Sequence, residues 1–150
     1  MPADDPNSHS ASIEVAVDAE TAFEYMASGM NQSRWALGSW ERVDHGDGLF
    51  SGTSLWDAST LYVRLEPHPE LLLVDYRVGK DPDDLRRLTQ ARIVPGAELG
   101  REPRSCVITL TTWRGAAHSD ASWARTHHAY KTEMHLIKAV SYTHLTLPTN

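Results

Sequence analysis

The sequence predicts an α+β fold: a curved antiparallel sheet of about six or seven strands, two short helices after the first strand, and a long C-terminal helix against the sheet. Three observations lead there. The chain opens on an alternating segment followed by an amphipathic helical one. Its middle is a series of short alternating segments broken by Gly, Pro and Asp turns. Its last regular segment places Trp123, His127, Tyr130, Met134 and Ile137 at spacings of 4, 3, 4 and 3, which is one stripe of a helix.

Residues 12–17 set Ile13, Val15 and Val17 against Glu14, the pattern of a half-buried strand. Asp18 offers an N-cap to a helix over residues 19–27 that gathers Ala22, Phe23 and Met26 on one face, and Gly29 suits its stop. A second short helix over residues 31–36 carries Trp35. Strands follow at 40–45, 49–56, 60–66, 71–78, 88–94 and 105–113, with residues 80–87 a charged loop or short helix and 95–104 a loop. Ser119 or Asp120 caps the final helix, whose opposite side carries Arg125, Lys131, Glu133 and Lys138.

A chain of 150 residues suits one domain, and 41% hydrophobic with 23% charged residues suits a globular one. No apolar run is long enough to span a membrane as a helix. A net charge of −6 without a basic block argues against nucleic acid and anionic membrane as partners. The single cysteine, Cys106, excludes an internal disulfide and a cysteine-rich zinc site. Residues 1–11 have no signal-peptide pattern and read as a flexible arm on a cytoplasmic protein. Residues 140–150 (VSYTHLTLPTN) change composition abruptly and resemble a translated sequencing adapter, so the folded unit is expected over 12–139 with its natural C-terminus replaced.

The order of elements, the opening SIEVAVDAETAFEYMA, the short helix ending in Arg34-Trp35-Ala36 and the terminal helix together resemble the helix-grip fold of the START-like (SRPBCC) superfamily. That superfamily includes Bet v 1-like and polyketide cyclase/dehydrase-like proteins. The resemblance covers residues 12–139 and implies a curved sheet wrapped around the last helix with an apolar cavity between them. The NTF2-like cone, which begins with its long helix, fits the order less well.

The stripe on the last helix would face that cavity. His127 and Tyr130 could hydrogen-bond a ligand carbonyl or move a proton, or could be ordinary core residues. Trp35, Tyr76 and Met134 join them as candidate ligand-binding residues, the aromatics for stacking area. Asp75 is a catalytic candidate only if the phase of its strand turns it inward, and Arg64 likewise reads as outer-face by default. His127, His128 and His135 do not share a face closely enough to hold a metal, so no metal is expected, and no motif calls for a cofactor. The expected function is binding of a small apolar ligand, aromatic, polyketide-like or lipid-like. The alternatives are a cyclase- or dehydratase-type enzyme, which needs polar groups converging in the cavity, and a protein-interaction module, which needs an exposed apolar patch.

Overall fold

A computed structural model describes residues 4–140. Of the adapter-like residues 140–150, those from 141 onward lie outside the described residues. The elements run β1 (Ser8–Val15), α1 (Ala19–Met26), a 3-10 turn (Met30–Arg34), β2 (Trp40–Gly46), β3 (Leu49–Thr53), β4 (Thr60–His68), β5 (Leu73–Gly79), β6 (Arg86–Pro95), β7 (Cys106–Trp113) and α2 (Asp120–Val140). The seven strands form one antiparallel sheet in the order β1-β7-β6-β5-β4-β3-β2. Strands β2 to β7 are a meander of successive hairpins, and β1 closes onto β7. No helix among the described residues is long and apolar enough to cross a membrane.

The strand alternation decides which face is core. Val63 and Leu65 of β4, Val74 and Tyr76 of β5, and Ile108 and Leu110 of β7 are buried under the helices. The intervening positions of β4 and β5 face outward. Asp18 caps α1 as its spacing predicts, its carboxylate accepting from the Thr21 amide at 2.8 Å. The second short helix is realised as the 3-10 turn, which ends at Trp35.

Several boundaries depart from expectation, among them three strand starts. β1 begins at Ser8, not residue 12, because its polar side is tied to the threonines of β7: Ser10 pairs with Thr111 at 2.9 Å and Ser12 with Thr109 at 2.7 Å. Serine hydroxyls satisfied across the ladder extend a strand that apolar alternation alone does not reveal. β5 starts at Leu73, since Pro69–Leu71 form a 3-10 turn and Leu72 takes a left-handed φ of 50°. β6 begins at Arg86, inside the stretch expected as charged loop or helix.

The backbone of α2 comes close mainly to β1 and to the 3-10 turn, and stands off the middle strands. Long side chains, Tyr76 from below and Tyr130 and Met134 from above, bridge that gap. Its N-terminal end is held by Trp123, whose indole N–H donates to the Pro6 carbonyl at 3.0 Å.

Candidate functional site

The bridging side chains between α2 and the concave sheet face include several polar groups in an otherwise apolar layer. Tyr76, at the centre of β5, is almost wholly buried and donates to the Met26 carbonyl at the end of α1 at 2.6 Å. Trp35 meets its ring edge-on, with centroids 6.3 Å apart. Tyr130 donates to Thr89 Oγ1 at 3.1 Å, and the Thr112 hydroxyl beside it donates to the Leu88 carbonyl. Burial drives both phenols far above their ordinary range, so both remain neutral hydrogen-bonding groups. Met134 packs in the same core.

Glu133 is the residue that sequence reasoning missed. It was expected on the solvent side of α2, yet it is 6% exposed. It follows Tyr130 by three positions, which on a helix is a displacement of only about 60° around the axis. The buried arc of α2 also takes in Ala129 and so is rotated away from His127. Desolvation pushes the Glu133 carboxyl up to about 8. Its proximity further raises the pKa values of Tyr76 and Tyr130. At neutral pH this layer therefore holds a protonated carboxylic acid in the electrostatic neighbourhood of two phenols.

The charge of Arg42 opposes the upward shift of Tyr76. Its Nη2 donates to the Oε1 of buried Gln32 at 2.6 Å. Burial lowers its pKa to about 10, so it stays charged at neutral pH. The Arg42 Nε, the Trp35 Nε1 and the Tyr25 hydroxyl are buried without a hydrogen-bond partner among the described residues. A donor left in that condition costs about 1–3 kcal/mol.

The remaining candidates lie elsewhere. His127 is half-buried at the N-terminal part of α2, its ring tilted against that of His9 of β1 with centroids 4.0 Å apart and edge-on to Trp123. It lines an open surface hollow of about 410 Å³ with Arg114, Asp120, Trp123, Ala124 and His128. Asp75 is on the outer face of the sheet, so the inward, catalytic reading of it is corrected. It faces His68 at 3.3 Å and Arg87 at 3.9 Å, in a ladder that continues through Glu66 to Arg77. Arg64 is on the same outer face and donates to the Asp47 carbonyl. Cys106 is buried, and its thiol is pushed up to about 11, which leaves it protonated and unreactive.

A second open hollow, of about 500 Å³, lies between α1 and the Pro69–Leu72 and Pro95 turns. Neither hollow is the closed apolar cavity expected beneath α2. Three large apolar side chains are instead exposed at one end of the sheet: Trp40, Leu55 and Trp56. The loop bearing the last two reaches both neighbours of the site. The Leu55 amide donates to the Leu37 carbonyl, and the Trp56 ring lies 5.8 Å from the Arg125 guanidinium of α2.

No protein-family profile and no curated protein sequence matches the chain. Solved structures do. The Zhui aromatase/cyclase from Streptomyces sp. R1128 superimposes with a TM-score of 0.64 at 11% identity, over 92% of this chain and 94% of its own. A START superfamily protein from Mycobacterium smegmatis gives 0.61 at 11%, over 90% and 97%. The Aha1 dimer structure from Colwellia psychrerythraea gives 0.65 at 8%, over 91% and 96%. At such identities the likeness is one of fold, and it agrees with the element order, the seven-stranded sheet and the terminal helix: this chain has the START-like, helix-grip fold.

Proposed function

We propose that the protein binds a small, largely apolar ligand, aromatic, polyketide-like or lipid-like, between the sheet and α2. The observation that carries this reading is the convergence of Trp35, Tyr76, Tyr130 and Glu133 in the layer where α2 stands off the middle strands. Here donors are buried without acceptors, and a ligand bearing carbonyl or hydroxyl groups would satisfy them. Because the layer is occupied by side chains, binding requires the Trp35 turn and the Leu55–Trp56 loop to give way, with exposed Trp40, Leu55 and Trp56 as an apolar rim. Met134 and Tyr76 would supply the apolar contact.

Native mass spectrometry of the full chain tests this, as purified and after addition of a long-chain fatty acid or a fused-ring aromatic ketone. One-to-one adducts are expected. A chain that stays ligand-free under all three conditions would overturn the reading.

Glu133 favours a second reading, a cyclase- or dehydratase-type enzyme. A carboxyl poised near 8 can donate a proton to a ligand carbonyl or hydroxyl, and accept one once ionised. Tyr76 and Tyr130 would orient the reacting oxygen. In that case Glu133→Gln abolishes turnover of a ligand found by mass spectrometry while its binding persists. Equal turnover by both proteins would leave binding as the function.

A further inference from the structure

The bulge in β2 has a consequence for the ligand's chemistry. Trp40 pairs with Thr53 and Val43 with Ser51, so Glu41 and Arg42 together oppose the single residue Gly52. Glu41 takes a left-handed φ of 53°, a strained conformation for a residue with a side chain. Opposite it, Gly52 cannot be replaced: a Cβ there would come within 2.6 Å of the Ser39 backbone. In regular alternation Arg42 would share the exposed face of Trp40, which is 57% exposed. The bulge instead turns it toward Gln32 and Tyr76.

The guanidinium so placed is under-used. It enters none of the ion pairs among the described residues. Its bond to Gln32 fixes its orientation and leaves the buried Nε–H without an acceptor. Trp35 Nε1, three positions after Gln32 and also bordering Tyr76, is a second buried donor without an acceptor. A cation with surplus donors at the edge of an apolar layer fits a planar oxyanion, which can take two parallel charge-assisted hydrogen bonds from one guanidinium.

We propose that Arg42, oriented by Gln32, binds a carboxylate at the end of the ligand. This rests on the ligand-binding reading above and narrows it to apolar acids. The phenol Tyr76 and the acid Glu133 would then meet the ligand's uncharged part.

The test compares two probes of one shape, naphthalene-2-carboxylate and naphthalene-2-methanol, by calorimetry at neutral pH. The wild-type chain is expected to prefer the carboxylate by at least about tenfold. Arg42→Met should lose that preference with affinity for the alcohol unchanged, Arg42→Lys should retain part of it, and the outer-face control Arg64→Met should retain all of it. In the wild-type chain, which needs no variant to fold, the carboxylate but not the alcohol should shift the Arg42 Nε–H resonance. Equal binding of both probes, a preference that survives in Arg42→Met, or an unmoved Nε–H resonance would overturn the carboxylate site alone. Failure of both probes to bind would overturn the ligand-binding reading together with it.

Discussion

Glu133 offers the sharpest test at the level of a single side chain. Its carboxyl titrates near 4.5 in an unfolded chain and near 8 in the folded one. Between those values the folded protein keeps a proton that the unfolded chain has lost, so stability falls as pH rises through the window, by at most about 1.4 kcal/mol per pH unit. Glu133→Gln keeps the shape and removes the titration. Its melting temperature should exceed that of the wild type at about pH 9 and match it at about pH 5; parallel profiles would dismiss Glu133 as the cause. Tyr76→Phe leaves the Met26 carbonyl buried without its donor and should lower stability by about 1–3 kcal/mol in urea unfolding. Neither residue's surroundings were legible in the sequence. Tyr76 could be put on the apolar face of its strand by alternation, whereas a phenol reaching the end of α1 is a long-range fact. Glu133 was misplaced because a charged residue at the margin of a helical stripe reads as polar side, and the buried arc is set by which way the helix rolls on its sheet.

Among the elements, the seam between β1 and α2 carries an acid sensitivity. The ring of His9 of β1 lies tilted against that of His127 of α2, and desolvation, then the charges of His127 and Lys131, lower its pKa below the ordinary 6.5. Tyr130 and Trp123 complete the surroundings of the pair. Below about pH 6.5 the unfolded chain takes up a proton at His9 that the folded chain resists, so this contribution to stability is present above that pH and lost as pH falls. His9→Phe retains a stacking ring and should flatten the fall in melting temperature between about pH 7 and about pH 5. An unchanged slope would place the acid sensitivity elsewhere, with His118, whose pKa is lowered chiefly by burial, the next residue to examine. The elements themselves were readable from the chain because their signals are local: Asp18 before Thr21, alternation in β4 and β5, the stripe of α2. The bulge that turns Arg42 inward was not, because Glu41 is no glycine and nothing in the residues 40–43 announces a left-handed backbone.

For the molecule as a whole, the fold class was legible because element order alone fixes a sheet that one amphipathic helix must cover. The interior was not, since a gap between helix and sheet depends on how far the long side chains of both hold them apart. The same topology carries a consequence for synthesis. β1 leaves the ribosome before the other six strands and, among the described residues, pairs with β7 alone; Ser10 and Thr111 are 101 residues apart. Of the seven strands, the earliest made is therefore the last to find its neighbour, and closing so long a loop is slow. Its row of serines lets it wait in water with little tendency to associate. Chains that end at residue 104 should show fast amide exchange throughout 8–15, and chains that end at residue 140 should show protection there. Protection in the shorter chains would mean that β1 finds an earlier resting place.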